Sequence, residues 1–227
     1  MTSTAEREIR DAVVARLREL APDARIVHEL NCSGQGTNRI DVAAITRDVI
    51  VGVEIKSEKD VLKRLTDQLT AFRKCCHIVV VAAHSKHFKE YRGDWRADVP
   101  SEYHLDHPEF YGRRFSYGKD VWKYPRPDKG SRGMDTWHFD LVRHTTSWKF
   151  PLRSSDLLQM LWAEELRIES GRHRLPCGSR ENRGTMIQNM SMLMTGQEVS
   201  RAVCRQLRAR SFAEADAPIF EEKVASA

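Results

Sequence analysis

The sequence predicts an α/β fold laid out as helix, three strands, helix, strand, and three observations predict it. Two amphipathic segments flank a pair of alternating apolar runs, and a short valine-rich run follows the second of those segments. Apolar residues recurring every three to four positions mark one face of a helix, strict alternation marks a strand with two distinct faces, and an unbroken run of β-branched residues marks a buried strand.

The first segment, "EREIRDAVVARLREL", sets Ile9, Ala12, Val13, Leu17 and Leu20 at helical spacing. "ARIVHEL", from Ala24 to Leu30, follows as a strand, and the polar, glycine-containing "NCSGQGTN" links it onward. The stretch from Arg39 to Lys56, "RIDVAAITRDVIVGVEIK", then alternates twice around a polar break at Thr46-Arg47-Asp48. It predicts a hairpin with Val42 opposite Val53, Ala44 opposite Val51 and Asp41 opposite Glu54. A slip of one residue would turn charges onto the apolar face, so this register is favoured. "SEKDVLKRLTDQLTAFRKC" places Leu62, Leu65, Leu69 and Phe72 on one helical stripe, and "HIVVVAA" is the buried strand.

The hairpin carries Asp41, Glu54 and Lys56 on the face shared by Ala43, Ile45, Ile50 and Gly52. A solvated surface would not be so apolar around its charges. Two neighbouring carboxylates repel unless a hard cation lies between them, and oxygen ligands suit Mg²⁺ or Mn²⁺. A lysine beside them neutralises developing negative charge or positions a water. Gly52 is expected to leave room for something to approach the sheet. Two carboxylates, a lysine and a divalent metal together suit phosphodiester hydrolysis.

Asp41, a short hairpin, then Glu54-Ile55-Lys56 resembles the D…(D/E)xK signature of the PD-(D/E)XK nuclease superfamily, with Ile40 in place of the proline. The likeness covers about the first 83 residues and is closest to archaeal-type Holliday-junction resolvases and VRR-Nuc-like bacterial or phage nucleases, which also begin with an "E-R-E-hydrophobe" helix. It implies a restriction-endonuclease-like αβββαβ core with a mixed central sheet. It also implies a Mg²⁺- or Mn²⁺-dependent deoxyribonuclease acting in DNA repair, recombination or phage DNA processing, with DNA as partner and room for a homodimer. Asp41, Glu54 and the carbonyl of Ile55 would hold the metal, and Lys56 would orient water or stabilise the phosphate. Gln68-Leu-Thr-Ala-Phe72 resembles the QxxxY motif of a related exonuclease branch, with phenylalanine for tyrosine, which makes Gln68 a candidate against the plain reading of a surface glutamine. A first-helix glutamate would complete the acidic cluster. On a helical wheel Glu6 falls at the edge of the apolar face and Glu8 toward solvent, and the resolvase-like start also selects Glu6. The alternatives are a catalytically inactive nuclease-fold module that binds nucleic acid, or a helix-turn-helix-type regulator.

The chain has 227 residues, a formal charge of +5 and five cysteines without a CxxC pair. Its pI near 9.0 is compatible with nucleic acid without being diagnostic. No apolar stretch approaches the ~20 residues of a membrane span, and the N-terminus lacks the apolar core of a signal peptide. A reduced, cytoplasmic protein without a membrane partner is the expectation.

Residues 1–150 are expected to form the nuclease domain, with the core at 1–83 and an aromatic and basic insertion at about 84–150; 151–227 form a helical extension. In the insertion, "DVWKYP" and "TWHFDLVRH" alternate enough to be strands, "RPDKGSRGMD" is a turn-rich loop, and the aromatics are expected mainly to pack. Two HxxH pairs, His84/His87 and His104/His107, are expected as chance neighbours rather than a zinc site. In the extension, "SSDLLQMLWAEELRIE" and "ENRGTMIQNMSMLM" predict helices, and Thr195-x-x-Glu198 is a capping box opening "EVSRAVCRQLRAR". Arg201, Arg205, Arg208 and Arg210 are expected mostly outside, and "EADAPIFEEKVASA" as a frayed tail.

Overall fold

The alternation between Arg39 and Lys56 becomes a hairpin of β2 (Arg39–Ile45) and β3 (Ile50–Lys56), paired Val42↔Val53, Ala43↔Gly52, Ala44↔Val51 and Ile45↔Ile50. This is the register that the apolar pattern dictates. The computed structural model describes residues 4–32, 38–91, 102–108, 121–126, 137–139, 141, 152–178 and 181–220. Within them α1 (Thr4–Leu20) and β1 (Arg25–Asn31) precede the hairpin. A short 3-10 turn, α2 (Leu65–Phe72) and β4 (Ile78–His84) follow it, so the predicted order is observed.

The fold is α/β with a mixed five-stranded sheet in the order β1-β2-β3-β4-β7, where β7 is Val121–Tyr124. The first three strands are antiparallel, and β4 and β7 join in parallel. The "DVWKYP" run therefore completes the sheet. Of the second expected strand only residues 137–139 and 141 are described, and they form none; except for Arg126, the turn-rich loop lies outside the described residues. β5 (Phe88–Tyr91) and β6 (Glu102–Leu105) form a separate antiparallel pair. Trp122 stacks on Trp137 at 5.1 Å and on Phe139 at 6.1 Å between ring centroids, so these aromatics pack rather than face a ligand. Most of the other aromatic and basic residues of the insertion lie outside the described residues.

One face of the sheet, with Val42, Ala44, Val51 and Val53, is covered by Ile9, Val13 and Leu17 of α1. The other, with Ala43, Ile45 and Ile50, packs on Phe72 and on the C-terminal helices through Leu158, Met190, Val199, Val203 and Leu207. Each such side chain contributes about 1.5–3 kcal/mol by burial, so the extension is part of the core that holds the hairpin. A Cβ on Gly52 would lie 2.7 Å from Cys76 Sγ and 3.3 Å from Ile40 Cγ2. What approaches the sheet at Gly52 is thus Cys76, in the turn between α2 and β4. Ile40 also shares that face with Ala43 rather than with Val42, contrary to simple alternation.

The extension comprises α3 (Ser154–Leu158), α4 (Ala163–Arg172), α5 (Arg183–Leu193) and α6 (Gly196–Ala209). The single helix expected at its start is broken because Glu165 accepts the Trp162 N–H at 2.7 Å, starting a new helix. Arg183 binds the carbonyls of Gln159 and Leu161 at 2.7 and 3.3 Å, ending the old one. The capping box forms, with Glu198 accepting the Thr195 N–H at 2.7 Å and Thr195 Oγ1 accepting the Glu198 N–H at 3.3 Å. The tail does not fray at Glu214. Its carbonyl accepts the His28 N–H at 3.0 Å, and the Asp216 carboxylate accepts the Ile26 N–H at 2.9 Å. The open edge of β1 thereby gains partners.

Candidate active site

β3 is the central strand and is buried along its whole length, which carries Glu54 and Lys56 inside with it. Glu54 is 2% and Lys56 7% exposed. The Lys56 ammonium donates to Glu54 Oε1 at 2.7 Å and to Gln68 Oε1 at 2.9 Å. Gln68 sits half-buried on the flank of α2, and it joins the cluster rather than the solvent. The β2–β3 ladder ends at Val42↔Val53. One residue further on, Asp41 Oδ2 accepts the Ile55 N–H at 2.6 Å. A side chain thus takes the place of the next rung where the strands part. The N–H and C=O of one strand residue point to the same side, so the Ile55 carbonyl is turned toward the same gap.

Burial and the nearby Glu54 charge hold the Asp41 carboxyl well above the usual carboxylate range, against the opposing pull of the Ile55 N–H and Lys56. Burial raises Glu54 as well, joined by the Asp60 charge, with Lys56 and Gln68 only partly offsetting it. Among the described residues Glu54 Oε2 is buried without a hydrogen-bond partner, a rare condition for a carboxylate oxygen. The pair therefore lacks positive charge, and a hard divalent cation held by Asp41, Glu54 and the Ile55 carbonyl fits that lack. Among the described residues no three His, Cys, Asp or Glu side chains form a group that could hold a metal, so this donor set rests on two carboxylates and a backbone oxygen.

Glu6 is half-buried and Glu8 is exposed. Glu6 meets the site through Arg10, whose guanidinium lies 3.0 Å from Glu6 and 3.1 Å from Glu29. Burial opposes the charge of Arg10, but Glu29, Glu6 and the nearby Asp41 hold its pKa above the ordinary value. Sequence reasoning missed Arg10 and Glu29. Arg10 follows Ile9 on the sheet-facing side of α1, and a charge there was a usable signal. It also missed the lock on the end of β3. Asp60 Oδ2 accepts the Ser57 N–H and Oγ–H at 2.7 and 2.6 Å, and His87 Nε2 bonds the Ser57 carbonyl at 2.8 Å.

The described histidines of the two pairs have other partners. His84 Nδ1 accepts the Lys86 N–H at 3.3 Å, and His107 Nε2 lies 3.3 Å from Thr66 Oγ1; the His104 side chain lies outside the described residues. Nor does α6 present an open row of arginines. Arg205 pairs with Glu169 at 3.0 Å, Arg210 with Glu165, and Arg208 is buried. Arg201 alone of the four is exposed.

A family model described as bacteriophage P4 protein cII matches residues 1–99, less than half of the chain. The matched segment holds Glu6, Glu29, Asp41, Glu54, Lys56 and Gln68 and stops before α3. No curated protein and no solved structure matches the chain. Among the described residues no helix is long and apolar enough to cross a membrane.

Proposed function

We propose that the chain is a Mg²⁺- or Mn²⁺-dependent deoxyribonuclease on a restriction-endonuclease-like αβββαβ core. The observation that carries the reading is the Asp41–Glu54–Lys56–Gln68 constellation at the open end of the hairpin, with Glu54 and Lys56 buried, Asp41 and Gln68 half-buried, and a Glu54 oxygen that has no hydrogen-bond partner among the described residues. When bound, the metal would polarise a phosphoryl oxygen and lower the pKa of the attacking water. Asp41, Glu54 and the Ile55 carbonyl would hold it. Lys56 would hold the attacking water or meet the negative charge that grows on the phosphate, and Gln68 would keep its ammonium in place. The likeness of residues 1–99 to bacteriophage P4 protein cII supports a phage origin for the fold that carries this site.

A second reading is a nuclease-fold module that binds nucleic acid without cutting it. The ion pairs already made by Arg10 and Lys56, which balance part of the acidic charge without a metal, favour it. For the regulator reading, Arg201 is the one exposed residue among the four arginines at α6, since Arg205 and Arg210 pair with Glu169 and Glu165 and Arg208 is buried. The deciding experiment incubates the pure protein with labelled linear, branched, flapped and single-stranded DNAs in Mg²⁺, Mn²⁺ or chelator. Metal-dependent cutting is expected. Binding without cutting in every metal supports the second reading, and full cutting in excess chelator removes the metal.

A further inference from the structure

The chain leaves the candidate site at Lys56 and returns to it at Gln68, whose Oε1 accepts from the Lys56 ammonium at 2.9 Å. The loop between them is fixed from inside. Ser57 is 2% exposed, and Asp60 Oδ2 accepts both its N–H at 2.7 Å and its Oγ–H at 2.6 Å. The Ser57 carbonyl accepts the Asp60 N–H at 3.2 Å and bonds His87 Nε2 at 2.8 Å. On the returning arm, buried Leu65 and half-buried Leu62 join one apolar cluster with Val81 and Ala83 of β4. Loops are ordinarily the more mobile part of a fold, but both arms of this one are tied to the sheet.

What the loop shows to solvent is mainly cationic and apolar. Lys59, Lys63 and Arg64 are exposed, and Val61 among them is 72% exposed. Lys86 is exposed as well, next to the His87 that grips Ser57. None of these four cations makes an ion pair among the described residues. The acids of the same stretch are Glu58 and Asp67, both exposed, and Asp60, which is turned inward onto Ser57. Four cations against three acids leave a formal +1, and the one acid in the middle of the loop faces away from solvent. Unpaired cations around an exposed aliphatic side chain suit a sugar–phosphate backbone, whose phosphate oxygens take the cations and whose sugars meet the apolar group.

We propose that residues 57–64 are the contact of this chain with the DNA backbone. Lys59, Lys63 and Arg64, with Lys86 beside them, hold phosphates of the strand being cut on one side of the scissile phosphate, and Val61 packs against the sugar between them. This rests on the deoxyribonuclease reading above and adds to it the place where the substrate lies. The grip of Asp60 and His87 on Ser57 then ties the contact to the chemistry, because the residue before Ser57 is Lys56.

The test is the salt dependence of binding to a fluorescein-labelled, random-sequence DNA duplex, followed by anisotropy on the full chain. Ca²⁺ is the metal, since its looser geometry is expected to support binding without cutting. Lys63→Gln/Arg64→Gln is compared with Arg47→Gln/Lys74→Gln, which removes the same charge outside the loop, from the turn that joins β2 to β3 and from the residues just past α2. All four positions are exposed, so neither variant disturbs the core. Each phosphate contact contributes about 0.9 to the slope of log affinity against log salt, so the loop variant should lose about 2 in slope and bind about 10-fold or more weakly. The control should match the wild type. Equal losses in both variants, or no loss in the loop variant, overturn the loop as the contact, and Mn²⁺-dependent cutting of the same duplex by the wild type then leaves the nuclease reading standing. No duplex binding by the wild type overturns this inference, and the nuclease reading falls with it if Mn²⁺-dependent cutting is absent too.

Discussion

The Lys56 ammonium donates to Glu54 Oε1 at 2.7 Å, two residues along the same buried strand and on the same face. A cation that already occupies one oxygen of a proposed metal ligand competes with the metal for negative charge. It cannot itself be a ligand, since it has no lone pair to give. Lys56→Met should therefore lower cleavage by about 100-fold or more while Mn²⁺ affinity holds or rises. Loss of Mn²⁺ affinity with the cleavage rate preserved would contradict the assignment.

Gln68 acts through Lys56, because its Oε1 accepts from the ammonium at 2.9 Å. Gln68→Ala should cost about 10-fold in rate. In a Lys56→Met background it should cost nothing more, since the group it positions is gone. Additive losses in the double variant would mean that Gln68 touches water or phosphate by itself.

Much of this site was legible because the hairpin obeys a period of two. Val42↔Val53 and Ala44↔Val51 followed from keeping apolar side chains on one face, and that register alone set Asp41 beside Glu54. The alternation misleads at Ile40, because the left-handed turn at Glu29 is invisible in a pattern of apolar and polar letters. Gly52 was legible in part: a glycine signals a close approach, not which atom approaches, and here it is Cys76 Sγ. The fit of α3–α6 to the sheet was not legible, since each helix shows an apolar stripe without naming the surface that covers it.

The helix-1 acids provide a separate check on the orientation of α1. Glu6 pairs with Arg10 at 3.0 Å, and Arg10 is close enough to Asp41 to feel its charge. Glu8 is exposed. Glu6→Gln should reduce cleavage more than Glu8→Gln, which should cut at the wild-type rate. The opposite order would place Glu8 at the site and require a rotated helix.

At the far edge of the sheet, Asp216 gives a prediction about stability and pH. Partial burial works against its charge, but hydrogen bonds from Arg18 at 2.7 Å and from the Ile26 N–H at 2.9 Å, with Arg25 nearby, hold its pKa below the ordinary value. A carboxyl whose pKa is depressed by folding adds stability above its unfolded pKa, about 3.9, and that stability is lost as pH falls through the folded value. Asp216→Asn should therefore melt at a lower temperature than the wild type at pH 7, and the gap should narrow as the pH is taken below 4. His28 also faces Asp216 and Glu214, and burial lowers its pKa, so the comparison is made between variant and wild type at each pH to cancel its titration. A gap that stays constant from pH 7 to pH 3 would show that the Asp216 contribution comes from shape and neutral hydrogen bonds, with no part for its charge.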